Sequence, residues 1–311
     1  MNTIEISDFS DLPCGENTNQ AAFLAPVEDG ISYKILSSNQ NLEYIDYLNL
    51  SKVIEILGEF FDVNTAAIAK ENSLCAVALG SSSENAFYKI IESDPISITD
   101  STIGFSKEVS LEIAKQLIAI RVKNVIASNF RKDALDLLLN HQCINIIQVT
   151  SPLQELLGFV TKDIKVTPFG YLIQEQNLSK LSKSSFKVKG KLKPTQEQAE
   201  DAIFAWKVVK HTKSKSAVIA KNLATKAIVQ GNTNGIDIVE NAMDIACETS
   251  KDAVLAVDGV IENEEIINAA IQGRIGLIIE AGDSNSSQKI TKLADKYSLS
   301  LIATGIRNYR Y

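Results

Sequence analysis

Lys213-Ser214-Lys215 is a Lys/Ser-rich turn with an amphipathic stretch before it and the apolar run Ala217-Val218-Ile219-Ala220 after it. Together they form one short unit, FAWKVVKHTKSKSAVIAK, Phe204 to Lys221. Thiol and imidazole chemistry has less to draw on. The four cysteines, Cys14, Cys75, Cys143 and Cys247, are far apart with no C-x-x-C pair, and His141 and His211 are the only histidines. A zinc site needs three or four such ligands converging, so no metal is expected and the thiols read as reduced or buried. No G-x-G-x-x-G follows a strand, no G-x-x-x-x-G-K-[ST] exists, and no G-x-S-x-G elbow appears, which removes the dinucleotide, P-loop and nucleophile-elbow readings.

The elements that must carry these residues alternate along the chain. Ala66 to Ala69 is a short apolar run ending at Lys70, and Ser73 to Gly80 reads as a helix start leading into Asn85 to Glu92. Strands are expected at Ser101 to Phe105, Asn124 to Ala127 and Ile144 to Val149, with helices over Ser110 to Ile120 and Ala134 to Leu139 between them. Helical crossovers of this length imply a largely parallel, buried sheet. From Gln176 to Thr195 the composition shifts to Lys, Ser and Gly, a linker or surface hairpin, and Pro194-Thr195 followed by Glu197 and Glu200 signals a new helix. Alternation then resumes through Ala217 to Ala220, Ala227 to Val229, a helix from Ile236 to Ser250, Ala253 to Val257, a helix from Asn263 to Gln272, Leu277 to Ile279, a helix from Ser287 to Tyr297, and Leu301 to Ala303. The fold class expected is α/β, in two three-layer lobes bounded at 1–184 and 185–311.

Composition sets the remaining bounds. A chain of 311 residues with 45% hydrophobic residues can bury a full core. No apolar run approaches the roughly 20 residues that a bilayer requires. The N-terminal MNTIEISDFSDLPCGEN lacks the regions of a secretory leader, so a cytoplasmic location is expected, with no membrane partner. A formal charge of −7 argues against a nucleic-acid partner bound through its phosphates.

The order of five segments carries a specific resemblance: CGENTNQAAF at Cys14 to Phe23, AKENSLCAVALG at Ala69 to Gly80, ESDPIS at Glu92 to Ser97, FAWKVVKHTKS at Phe204 to Ser214, and TGIRNYRY at Thr304 to Tyr311. In that order they resemble the transformylase domain of the bifunctional purine enzyme family, AICAR transformylase, over nearly the whole sequence. No segment resembles the companion IMP cyclohydrolase domain. The resemblance implies two cytidine-deaminase-like lobes and an intertwined homodimer with sites at the subunit interface. It also implies transfer of a formyl group from 10-formyltetrahydrofolate, the co-substrate, to a weakly nucleophilic amine of a small molecule. That chemistry takes a proton from the amine, stabilises an oxyanion and returns a proton to the folate nitrogen.

Carried over residue by residue, the resemblance gives a site with departures. The family's K-H-x-N-P-C-G reads Lys70-Glu71-Asn72-Ser73-Leu74-Cys75-Ala76, so Lys70 stays and Glu71 stands at the catalytic His. Glu71 is either a replacement base or half of a salt bridge with Lys70, whose charge would lower its pKa. The phosphate-binding R-Y-G-E-N-P-H-Q keeps Glu16 and Asn17 but has no cation, and a second Arg, in G-A-G-Q-x-S-R, is missing from Val229 to Gly235. Arg307 and Arg310 in the C-terminal segment remain, and Lys213 or Lys215 could take over; Lys215 stands where the family's K-S-N has Asn. Asp94 and Ser97 keep half of D-P-V-S-x-F-G-G, and Asp258 alone survives from S-D-A-F-F-P-F. Lys70, Glu71 and Asp94 are thus the catalytic candidates, and Asn17, Ser97, Lys213, Lys215, Asp258, Arg307 and Arg310 the substrate-binding ones. Trp206, Pro95 and Gly80 read as packing and turn residues. Three readings follow: a formyltransferase acting on an amine other than AICAR, a silent relative that binds a small molecule or a protein, and an AICAR transformylase with compensating residues.

Overall fold

In the computed structural model, which describes residues 8–27, 30–37, 42–141, 143–158, 162–282 and 287–311, short turns separate regular elements throughout. The first seven residues, on which the reading of a leaderless N-terminus partly rests, lie outside the described ones. In chain order the elements are β1 (Ser10–Leu12), β2 (Ala22–Leu24), β3 (Tyr33–Ile35), α1 (Tyr44–Glu59), β4 (Asn64–Lys70), β5 (Ser73–Gly80), α2 (Ser83–Ser93), β6 (Thr102–Val109), α3 (Leu111–Ile120), β7 (Asn124–Phe130), α4 (Lys132–Asn140) and β8 (Asn145–Val149). They continue as β9 (Lys162–Thr167), β10 (Gly170–Glu175), β11 (Lys187–Lys189), α5 (Gln196–Val209), β12 (Ala217–Lys221), β13 (Ala224–Val229), α6 (Gly235–Ala246), β14 (Val254–Val257), α7 (Glu264–Gln272), β15 (Leu277–Glu280), α8 (Ser287–Lys296) and β16 (Ser300–Ala303). The α/β class is borne out. Two compact units divide the chain, one of Met1–Ser73, Gly80–Phe87 and Ile96–Gln176, the other of Leu74–Leu79, Tyr88–Pro95 and Asn177–Tyr311.

In the first unit the strand order is β4, β6, β7, β8, β3. β6, β7 and β8 run parallel, while β4 against β6 and β3 against β8 are antiparallel. α1 lays Leu50, Val53, Ile54 and Leu57 on a face that includes Ile126 and Ile147. The alternate residues Val125, Ala127 and Ile146 point the other way by the two-residue period of a strand and are also fully buried, so helices cover both faces. Gly104 on β6 is there because a Cβ would sit 2.0 Å from Val53 Cγ1.

The second unit orders its strands β11, β16, β15, β14, β12, β13, β5. Again three strands, β14 to β16, are parallel and the flanking pairs are antiparallel. One face packs Ile219, Leu255, Ile278 and Leu301 with α6, α7 and α8. α5 covers β12, β14 and β15 with buried Phe204, Ala205 and Val208. It starts where the sequence signals it: Thr195 accepts the Gln198 N–H, and the Gln198 side chain accepts the Thr195 N–H.

The order of elements along the chain occurs twice, once before and once after the β9–β10 hairpin. α1, β4, β5, α2, β6, α3, β7, α4 and β8 correspond in order to α5, β12, β13, α6, β14, α7, β15, α8 and β16, and β3 corresponds to β11 at the antiparallel edge. The repeat reaches single residues. Glu71 and Asn72 between β4 and β5 both have positive φ, as do Asn222 and Leu223 between β12 and β13, the two-residue reversal that fits twisted strands. Asn49 on α1 accepts the Asn72 N–H at 2.8 Å; the corresponding Asp201 on α5 accepts the N–H groups of Asn222 and Leu223 at 2.9 and 2.7 Å. Lys70 at the end of β4 donates to the Thr99 carbonyl oxygen, and Lys221 at the end of β12 donates to that of Lys251.

Two sequence expectations are corrected. Ser73 to Gly80 is strand β5 rather than a helix start, because an eight-residue run of small and apolar residues fits a buried strand as well as a helix and the reversal at Glu71-Asn72 sends the chain back as a strand. The sheets are mixed rather than largely parallel, since β4 and β3 in the first unit and β12, β13 and β11 in the second pair antiparallel with their neighbours. The Lys/Ser-rich stretch holds β11, which pairs with β16, while an exposed hairpin, β9 with β10, precedes it. Among the described residues no helix is long and apolar enough to cross a membrane.

Asp201 is buried, and Leu223, a residue that pays for a left-handed conformation, depends on it. Asp201→Ala is expected to lower unfolding free energy by about 2–4 kcal/mol, since two backbone donors lose a carboxylate partner. Urea denaturation measures it; equal midpoints and slopes for variant and parent would show that the turn holds itself.

Candidate functional site

A pocket lies in the second unit, where the chain leaves β14 and where α6 and α7 begin. Its volume is about 170 Å³. Ile236, Ile238, Val257, Ile261 and Ile266 make aliphatic walls, and Lys215, Asp258, Glu262 and Tyr309 bring polar groups. The helix starts are fixed locally: Asn234 accepts the Ile236 N–H at 3.0 Å and Asn263 the Glu265 N–H at 2.9 Å, so both caps are occupied by their own chain.

Asp258 is the focus of the polar side. It is 3% exposed, and its Oδ2 accepts the Ser214 hydroxyl at 2.5 Å. Burial holds its carboxyl above the ordinary carboxylate range, while the Ser214 hydroxyl, the Ser216 and Asp258 backbone contacts and the Lys215 charge pull the other way. Its backbone is fixed at both ends, with its N–H donating to the Ser216 carbonyl and its carbonyl accepting the Asn308 N–H at 2.7 Å. Tyr309 then lies flush over Gly259, where a Cβ would come within 2.3 Å of the ring. The Val260 N–H meets the phenol oxygen, but burial, the larger influence, raises the phenol's pKa. A buried carboxyl beside aliphatic walls and an aromatic ring suits a flat, hydrogen-bonding heterocycle.

The other sequence candidates fall in several places. Lys215 lines the pocket with Asp258. Its N–H and carbonyl exchange hydrogen bonds with Asn232, and the Ser214–Lys215 peptide bond is cis. Lys213 is exposed, and its turn is pinned by Gln230 and by the Gly231 N–H. Arg310 joins the site through its backbone, exchanging bonds with Ser214, while Arg307 is exposed with its guanidinium 5.9 Å from the Tyr309 ring centre. Asp94 follows α2, its N–H bonded to the Ile90 carbonyl.

In the first unit, Glu71 is exposed at the tip of its reversal. The ammonium of Lys70 goes to the Thr99 carbonyl oxygen at 2.8 Å, so the salt bridge between Lys70 and Glu71 is not formed. Ser97 lies two residues before Thr99 and is half-buried. Asn17 closes its own loop, both its N–H and its amide donating to Gln20 Oε1. No group of three or more metal-ligating side chains occurs among the described residues.

Sequence reasoning missed Ser214, Gly259 and Tyr309. Ser214 lies between the two lysines already singled out, and its place in the middle of that turn was the available signal; its partners are 44 and 96 positions away.

Comparison with known proteins agrees with the order of motifs. A family model described as "AICARFT/IMPCHase bienzyme" matches residues 1–245. The chain is 33% identical over 304 residues to the "Bifunctional purine biosynthesis protein PurH" of Thermoanaerobacter sp. (strain X514), covering 97% of this chain and 59% of that protein. The protein of the same description from Aquifex aeolicus (strain VF5) is 33% identical, covering 96% and 58%. That from Caldicellulosiruptor bescii is 35% identical over 272 residues, covering 88% and 52%. The chain therefore spans a little over half the length of the curated relatives it matches. With a family match over most of its residues, similarity running almost end to end, and the motif order retained from Cys14 to Tyr311, the chain belongs to the AICARFT/IMPCHase bienzyme family.

Proposed function

We propose that this chain is an AICAR transformylase-like formyltransferase that takes its formyl group from 10-formyltetrahydrofolate and gives it to an amine other than AICAR. The observation that carries the reading is the Asp258 pocket, a buried carboxyl with aliphatic walls that fits the flat, donor-rich head group of a folate. Lys215 adds a cation where the family has an amide, which favours a ligand bearing negative charge nearby. AICAR is disfavoured because two of the family's phosphate-binding arginines have no counterpart at Pro13 to Gln20 or Val229 to Gly235. Each charge-assisted bond to a phosphate contributes on the order of 1.5–3 kcal/mol, so losing two costs orders of magnitude in affinity. In this reading Lys70 is the polar catalyst, Asp94 and Asp258 orient the substrates, and Arg307 anchors an anion. The two-lobed division at 1–184 and 185–311, and a cytoplasmic setting, belong to the same proposal.

The family analogy extends to a homodimer, and one surface suits it. Val166, Phe169, Tyr171, Leu172 and Ile173 are exposed on the β9–β10 hairpin, and a two-stranded hairpin is marginal without something to pack on. Its charged residues cancel, with Lys162 and Lys165 against Asp163 and Glu175, so a second copy is not repelled.

A second reading has its own support. Lys70 performs the same backbone tie as Lys221, and Glu71 points into solvent from a turn tip, an arrangement that serves a silent binding relative as well. Thermal unfolding with folic acid and with AICAR, each added separately, decides between them. A ligand at 100 times its dissociation constant adds about 2.7 kcal/mol of stability. Stabilisation by folic acid alone is expected; stabilisation by neither supports the silent relative, and by AICAR supports a compensated AICAR transformylase.

A further inference from the structure

The C-terminal segment and the pocket carboxyl meet on one atom. Ser214 Oγ donates to Asp258 Oδ2 at 2.5 Å and accepts the Arg310 N–H at 2.8 Å, while the Ser214 N–H donates to the Arg310 carbonyl oxygen at 2.7 Å. Two residues earlier, the Asn308 N–H donates to the Asp258 carbonyl oxygen. Ser214 is 6% exposed and Asp258 3%, so this relay runs where hydrogen bonds are strong and hard to replace with water. Between the two anchor points lies Tyr309, the residue that roofs Gly259. The carboxyl's rotamer, the aromatic roof and the register of the segment bearing Arg307 and Arg310 thus share one hydroxyl.

We infer that Ser214 is a positioning residue whose hydroxyl fixes the Asp258 carboxyl and the Arg307–Arg310 segment together, so that binding at Asp258 and docking of the C-terminal segment are one event. It touches no reacting atom; it acts through Asp258 and through the backbone of Arg310. The pocket's part in holding a folate head group rests on the function proposed above, whereas the relay itself does not. A ligand that donates to Asp258 favours the ionised carboxylate, which in turn holds the Ser214 proton and leaves Ser214 Oγ to accept from Arg310. By linkage, a docked segment must raise the affinity of that ligand by the same factor as the ligand stabilises docking.

Ser214→Ala removes one oxygen from a buried site and retains the backbone bond to Arg310. Two measurements need no ligand. Hydrogen exchange at the Arg310 amide is expected to quicken about tenfold or more, the loss of one buried bond in a charged relay. The Asp258 carboxyl, followed by carbon NMR, is expected to titrate at higher pH in the variant, because a donor that favours the charged form has gone. Among the described residues, the other charged or titratable groups that line the pocket with that carboxyl are Lys215, Glu262 and Tyr309, with Arg307 beside the Tyr309 ring, and none of them is altered. A third measurement uses folic acid. Its dissociation constant is expected to weaken about tenfold, with binding lost at a higher pH than in the parent, and in the parent it should slow Arg310 exchange. An unchanged Arg310 exchange rate or an unchanged Asp258 titration overturns the inference, as does folic acid binding with the same affinity and pH profile in both proteins. If the variant fails to fold, protection of the parent's Arg310 amide by folic acid decides it: protection upholds the linkage and its absence in a complex overturns it. If folic acid binds neither protein while both ligand-free measurements move, Ser214 keeps its role and the formyl-donor reading falls.

Discussion

Gly259→Ala is expected to destabilise the chain by about 1–3 kcal/mol and to abolish stabilisation by folic acid. The backbone at Gly259 is not left-handed, so the constraint is space alone: an added Cβ would lie 2.3 Å from both Cε1 and Oη of Tyr309. The ring cannot retreat freely, because its phenol meets the Val260 N–H and its neighbours on either side are bonded, Asn308 to Asp258 and Arg310 to Ser214. Displacing the ring therefore strains the segment that closes the pocket. A double-mutant cycle isolates the contact. With Tyr309→Ala as background, the cost of Gly259→Ala should fall to a few tenths of a kcal/mol; the same cost in both backgrounds would place the collision elsewhere.

Much of the frame could be read from residue order. The parallel strands announce themselves as apolar runs, β7 and β8 through Val125-Ile126-Ala127 and Ile146-Ile147, because they are buried on both faces. The helix starts at Thr195, Asn234 and Asn263 carry capping side chains whose bonds are local. Strand β5 was not legible, since its direction depends on a reversal at Glu71-Asn72 that neither a glycine nor a proline marks. Neither was the repeated order of elements, which shows only when Asn49 and Asp201 are seen to hold matching turns. The site divides in the same way. Asp258 and Lys215 could be named from a motif, but Ser214 bonds partners in distant segments, and no local pattern of residues encodes a bond across 96 positions. Glu71 was legible as a substitution; its exposure at a turn tip, with Lys70 tied to Thr99, required the fold.

Asp258→Asn should make the chain more stable at neutral pH while weakening folic acid binding on the order of 10–100-fold, the worth of a charge-assisted bond. Burial raises the pKa of this carboxyl in the folded state above its unfolded value. The folded state therefore holds the proton more tightly, and the resulting stabilisation is complete below the unfolded pKa, about 3.9, and lost as pH rises through the raised folded value. The amide is neutral throughout and still offers an oxygen to the Ser214 hydroxyl, so it escapes that loss. The difference in melting temperature between variant and parent should accordingly be positive near pH 7.5 and shrink toward pH 4; a difference that does not change with pH would mean that the carboxyl carries no buried charge. A residue whose removal stabilises the fold and weakens binding is held there by what it binds, because the chain gains nothing else from leaving a carboxylate where only one hydroxyl, a few backbone groups and one lysine can answer it.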